Sequence, residues 1–200
     1  MSAIETMPYK SGTISFYQDE DAQDPRVECD NVSTMLCKHP RYILGDRRRG
    51  DPEPTAEEML AITRKKNVVY VNLYLLDHSG LRLSCHASQV QAYGGWDTSH
   101  VGIAYITIGR LRKEYGRKLS RADLRKKGME ILQAEVETYD QYLSGQVYGY
   151  IARNAAGDHV GSCWGIYGWD YLTADMLEEA RAELDTAEAD TQEALSTCPI

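Results

Sequence analysis

Hydrophobic and polar residues alternate most cleanly between Asn67 and Asp77. Val69, Val71, Leu73 and Leu75 share one face, and Tyr70, Asn72 and Tyr74 the other. A period of two is the mark of a half-buried strand. His78-Ser79-Gly80 supplies a turn, and Leu81, Leu83 and Cys85 resume the alternation, so a β-hairpin is predicted. From His100 to Ile108 both faces are apolar, which predicts a central strand. Thr13 to Tyr17 reads as a short strand, and residues 147–153 and 159–166 as two more, joined by Asn154-Ala155-Ala156-Gly157.

Three segments follow helical periodicity instead. Thr55-x-x-Glu58 is a capping box behind Pro52 and Pro54, opening a helix to about Lys65. Ser120 opens the longest helix, with Asp123 in its first turn. Leu124, Gly128, Ile131, Glu135, Tyr139 and Leu143 form its stripe, and Gly145 is its stop. A last helix starts near Thr173 and repeats Leu177, Ala180, Leu184 and Ala187. Residues 29–50 read as irregular around a Gly45-Asp46 turn, and residues 92–99 as a loop. The order predicts α+β: one antiparallel sheet of about five to six strands, with helices mainly on one face. One domain is expected over residues 1–200, with an acidic segment 1–30 and an acidic helix 173–196.

Charge sharpens this picture. The formal net charge is −8, yet residues 31–128 carry eighteen basic and nine acidic groups, net +9. Residues 1–30 carry −5, 129–172 carry −5 and 173–200 carry −7. The basic groups cluster at Arg47-Arg48-Arg49, Arg64-Lys65-Lys66, Arg110 to Arg121 and Arg125-Lys126-Lys127. Such clusters suit a polyanion, although charged helix faces are ordinarily just solvated. In the terminal helix, Glu178, Glu179 and Glu183 belong to a run that can imitate a phosphate backbone or simply keep an amphipathic helix in solution.

Aromatic residues concentrate between Val147 and Tyr171, which hold six of the chain's eighteen, with five glycines. Tyr148, Tyr150, Trp164, Tyr167 and Trp169 are therefore candidate contact residues, the alternative being rings buried in a Tyr-rich sheet. Five cysteines without a basic-then-apolar leader suggest reduced thiols in a cytosol, and no apolar run reaches membrane-spanning length.

Catalytic candidates are sparse. Asp77, His78, Asp97 and His100 lie at a hairpin turn and a strand entrance, where an Asp/His cluster could serve a metal-assisted hydrolase or nuclease. Asp and Ser are also favoured hairpin-turn residues for their local hydrogen bonds, and a capped hairpin loop is the more ordinary reading of this stretch. Cys29, Cys37, His39, Cys85 and His86 lack structural-zinc spacing, so no metal site is expected. There is neither a phosphate-loop nor a dinucleotide glycine fingerprint, and no cofactor is expected.

Four stretches carry a resemblance: Asp30-Asn31-Val32-Ser33-Thr34 with His39-Pro40-Arg41-Tyr42-Ile43-Leu44-Gly45-Asp46; Tyr74-Leu75-Leu76-Asp77-His78-Ser79-Gly80; Glu137-Thr138-Tyr139-Asp140-Gln141-Tyr142-Leu143-Ser144-Gly145; and Ser162-Cys163-Trp164-Gly165-Ile166-Tyr167-Gly168. Together they resemble a family of small bacteriophage and mobile-element accessory proteins without an established activity. The resemblance spans roughly residues 29–172 and carries over no catalytic residue. It implies a host bacterial cytoplasm and a role in host takeover or counter-defence. On that basis a host protein is the first expected partner; nucleic acid, on the clustered basic groups alone, is the second. No membrane is expected, and the oligomeric state stays open.

Overall fold

In the computed structural model, described over residues 2–91, 97–116, 118–170 and 175–196, the α+β chain builds two four-stranded antiparallel sheets. This differs from the single sheet of five to six strands expected. Alternation says which residues face a core but not which strand pairs with which, and the pairings that separate the sheets are long-range. The chain divides into two compact units: Met1–Gln23 with Gly145–Ile200, and Asp24–Ser144.

The first unit orders its strands β1-β2-β7-β8. They are β1 (Glu5–Tyr9), β2 (Gly12–Gln18), β7 (Val147–Arg153) and β8 (His159–Tyr167). β2 lies antiparallel to β7 with Phe16 opposite Tyr150. β1 escaped the sequence reading because Pro8 interrupts it, and an edge strand tolerates the missing N–H. The acidic C-terminal helix, which we number α6 (Asp175–Ser196), packs on β7 and β8. Ile14, Phe16, Tyr150, Ala152, Ile166, Ala180 and Leu184 form the core between them.

The second unit orders its strands β3-β6-β4-β5: β3 (Thr34–Cys37), β4 (Val68–Asp77), β5 (Leu81–Ser84) and β6 (Thr98–Thr107). The β4–β5 hairpin and the central place of β6 match the sequence reading. α5 (Arg121–Leu143) crosses this sheet. Its buried positions are Leu124, Gly128, Leu132, Val136, Tyr139 and Asp140, so Leu132, Val136 and Asp140 stand where Ile131, Glu135 and Leu143 were expected, and Glu135 instead serves the polar network described below. α2 (Ala56–Thr63) starts at the capping box of Thr55 and Glu58. α1 (Pro25–Glu28), α3 (Ala87–Gln91) and α4 (Ile108–Tyr115) are short and were not foreseen. α4 begins directly at the end of β6, where the Thr107 side chain accepts from the Arg110 N–H.

Among the described residues, no helix is long and apolar enough to cross a membrane. The formal charge follows the division of the chain. The first unit has three basic and fourteen acidic residues, net −11, and the second nineteen and sixteen, net +3.

Candidate functional site

The sharpest chemical feature of the first unit begins as a register fault. Tyr148 pairs with Ile166 and Tyr150 with Cys163, so Trp164 and Gly165 together face the single residue Gly149. This is a β-bulge, a device that re-aims a side chain. Gly165 takes φ +76°, and its N–H donates to Asp19 Oδ2 at 3.0 Å. Gly149 has no side chain to obstruct the indole, since a Cβ there would lie 2.3 Å from Trp164 Cε3. The Trp164 ring is thereby laid over backbone, 6.0 Å from Tyr17, and remains 38 % exposed.

Beside that ring runs a groove of about 460 Å³ lined by Asp19, Asp21, Gln23, Trp164, Gly165 and Tyr167. Asp19 Oδ1 also accepts from the Asp21 N–H at 3.1 Å, and the Tyr167 hydroxyl donates to the Gln23 carbonyl at 2.8 Å. The segment after β2 is thus tied to β8 at both ends of the groove. An indole face, two carboxylates and a carboxamide converge there, a combination suited to a cationic group. Asp21 and Gln23 were not singled out from the sequence. The acidic character of residues 1–30 was visible, but its nearness to Trp164 depends on β2 and β8 flanking β7.

Not all of the expected aromatic surface is surface. Tyr150 is fully buried, and Tyr148 and Trp169 pack against the same core, their rings 5.0 Å apart and near perpendicular. Burial, reinforced by the nearby charges of Glu183 and Glu179, holds the Tyr150 phenol above its ordinary pKa. On α6, Glu183 turns inward. Tyr150 donates to its Oε2 at 3.2 Å, and its carboxylate occupies the space a side chain at Gly161 would need. Glu178 and Glu179 remain exposed, while Asp185 pairs with Lys10 at 2.6 Å.

Of the four Asp/His candidates the fold brings two together. His78 Nδ1 lies 2.9 Å from Asp97 Oδ2, both side chains well exposed. Asp77 turns toward Arg41, with which it forms an ion pair, and accepts from the Tyr42 hydroxyl at 3.4 Å. His100 meets Tyr74 edge-to-face, ring centres 5.5 Å apart. Among the described residues, no three His, Cys, Asp or Glu side chains gather where a metal ion could be held. Cys37 is buried in the second core, and burial pushes its thiol up to about 12.

The arginine run 47–49 is largely structural. Arg47 pairs with Glu53 at 2.8 Å, and Arg48 donates to the carbonyls of Gly45, Arg47 and Arg26. Arg47 is half-buried, while Arg48 and Arg49 are exposed. Nearby lies a network that sequence reasoning missed. The Arg26 side chain, 1 % exposed, donates to Asp46, Asn31, Glu135 and the Ser33 carbonyl. Glu135 in turn accepts from the Val32 and Ser33 N–H groups, and Asp46 from that of Met35. Burial opposes the Arg26 charge, but Asp46 and Glu135 outweigh it and hold the guanidinium above its ordinary pKa.

The quoted motif residues Asn31, Ser33, Gly45, Asp46, Tyr139 and Asp140 thus hold the second unit together. Gly45 donates to the Tyr139 hydroxyl at 3.0 Å, and Asp140 accepts from Arg82 and the Leu83 N–H. Comparison with protein-family models, curated proteins and solved structures finds no match for the chain.

Proposed function

We propose that the chain is a non-enzymatic binding protein of the phage or mobile-element accessory kind, which modulates a host macromolecule by seating a basic segment of a host protein in the Trp164 groove. The observation that carries this reading is the exposed indole laid over Gly149 beside Asp19 and Asp21. A guanidinium or ammonium over an indole face gains roughly 0.5–2 kcal/mol according to its desolvation, and the neighbouring carboxylates add charge pairing. The first unit's net charge of −11 favours encounter with cations. Tryptophan and arginine are also prominent among the residues that dominate protein interfaces.

The direct test is calorimetric titration of the full chain with a short Lys/Arg-rich peptide and an acidic peptide of equal length. The expected result is binding of the basic peptide alone, abolished in Trp164→Ala and weakened in Asp21→Asn. Equal binding of both peptides, or retention of binding in Trp164→Ala, overturns the reading. A pull-down from nuclease-treated bacterial lysate, comparing the parent with Trp164→Ala, then identifies the partner.

A further inference from the structure

The second unit carries a separate concentration of charge of opposite sign. Residues 64–66, 110–116 and 118–127 are stapled into one surface by hydrogen bonds to backbone carbonyls. The Lys66 carbonyl accepts from Arg121 at 2.7 Å and also from Arg125, which reaches the Val68 carbonyl at 3.3 Å. The Ile108 N–H donates to the Asn67 carbonyl at 2.8 Å, fixing the start of α4 to the same point. α4 then lies against α5 through Leu111 and Gly128, where an added Cβ would approach Leu111 Cδ1 to 2.9 Å. Lys65, Lys66, Arg112, Lys113, Lys118 and Lys126 are thereby gathered, all exposed.

Few carboxylates answer them. Glu114 pairs with Arg110 at 3.2 Å and Glu130 with Lys127 at 3.6 Å, while Asp123 is engaged with Ser120 at the cap of α5. Among the described residues, none of those six cations has a carboxylate within ion-pair distance. The arrangement also works against local stability. Arg121, Arg125 and Lys126 crowd the first turns of α5, the positive end of its dipole, and Arg121 and Arg125 are like charges at i,i+4. A bound anion would relieve both penalties.

We infer that this surface, formed by residues 64–66, α4 and the first turns of α5, binds the phosphate backbone of nucleic acid. A polyphosphate matches a cationic surface assembled from several segments. Tyr115, 41 % exposed and with the Lys127 ammonium 5.7 Å from its ring centre, offers a face on which a base can stack. An anionic membrane is disfavoured, because Ile108 and Leu111 of α4 are buried and the helix exposes no aliphatic side chain beside its charged residues and Tyr115. The acid excess behind the chain's acidic average lies in the other unit, and this unit by itself carries +3.

The test is fluorescence anisotropy of the full chain with a labelled DNA duplex, its single strand, an RNA strand and vesicles rich in phosphatidylserine. With about six phosphate contacts, affinity for the preferred oligonucleotide falls roughly a thousandfold between about 50 and 200 mM salt. Lys113→Glu combined with Lys126→Glu lowers the salt slope by about 2. Arg49→Glu, outside the surface, leaves the slope unchanged. The single- and double-strand arms identify which form of the backbone is preferred. The inference is overturned if no oligonucleotide binds at low salt, if binding ignores salt, or if the double variant, shown folded by its melting curve, binds like the parent. Vesicle binding without oligonucleotide binding overturns it as well. The salt slope of the parent requires no variant, so poor folding of the charge reversals leaves the test intact.

Discussion

Trp164 rests on Gly149, and a methyl group on that glycine would fall 2.3 Å from the indole Cε3. The exposed ring therefore depends on a residue across the bulge. Gly149→Ala should displace the indole and cost about 1–3 kcal/mol, the usual range for overpacking. Basic-peptide binding should weaken with it. Urea melts monitored by circular dichroism, run beside the peptide titration, check both effects. An unchanged affinity would mean that the seat does not position the ring.

Arg26 and Glu135 make a buried pair whose geometry suits only a guanidinium, because the Nε and both terminal nitrogens are in use. Arg26→Ala should destabilise the second unit by about 3–5 kcal/mol, since Glu135 and Asp46 are left without their cation. Arg26→Lys should recover little of this, lacking the planar fork. Chemical denaturation of the three proteins measures the order. A lysine variant as stable as the parent would show that charge alone, and not the fork, matters there.

Gly45 combines φ +67° with a donor bond to the Tyr139 hydroxyl, and a Cβ on it would meet the Met35 carbonyl at 2.6 Å. Tyr139→Phe leaves a buried N–H unpaired and should cost about 1–3 kcal/mol. Gly45→Ala should cost more, because the added clash is with backbone that has no rotamer to change. Hydrogen exchange at the Gly45 amide provides the local readout: it should accelerate in Tyr139→Phe well beyond the change at amides of the first unit.

Cys37 predicts a response to alkali. Its thiol is held near 12 by burial, against about 9 for an ordinary thiol. Between those values the unfolded chain has lost a proton that the folded chain keeps, so stability is full below about 9 and declines as pH rises toward about 12. The buried Tyr139 phenol, also raised by desolvation, acts in the same direction. Cys37→Ala should flatten the loss of stability across that window, measured by denaturant midpoints at stepped pH. In native protein, iodoacetamide should spare Cys37 and modify the exposed Cys29, as peptide mass spectrometry would show.

These sites differ in how far the sequence announces them. The hairpin at His78-Ser79-Gly80, the capping box at Thr55 and the Ser120 cap rest on contacts within a few residues, and local pattern specifies them. Pairing of β2 with β7 joins Phe16 to Tyr150 across more than half the chain, and alternation is silent on that partner. The same gap hid the groove. The acidic segment 1–30 and the aromatic cluster holding Trp164 were visible, but the meeting of Asp19 and Asp21 with Trp164 is a product of topology. Arg26 was passed over for another reason. An isolated arginine after a proline reads as solvated, and only the inward turn of Glu135, on what looked like an apolar stripe, gives it a partner.

Glu183 separates structural from available charge on the acidic helix. Its carboxylate lies over Gly161 and accepts from the Tyr150 hydroxyl, so it helps dock α6 onto the sheet, while Glu178 and Glu179 stay exposed. Burial raises the Tyr150 phenol first, and the Glu183 charge raises it further. Glu183→Gln removes the charge but keeps the shape and an acceptor oxygen. Tyr150 should then ionise at lower pH, visible as an earlier step in the ultraviolet titration of tyrosinate, with the helix still docked. Glu183→Ala should both lower that step and loosen α6, exposing its amides to faster exchange. Glu178→Gln should do neither. If Glu183→Gln leaves the tyrosinate titration where it was, the contact is too weak to couple the two groups, and docking of α6 rests on its other contacts, chiefly Ala180 and Leu184 in the core and the Asp185 pair with Lys10.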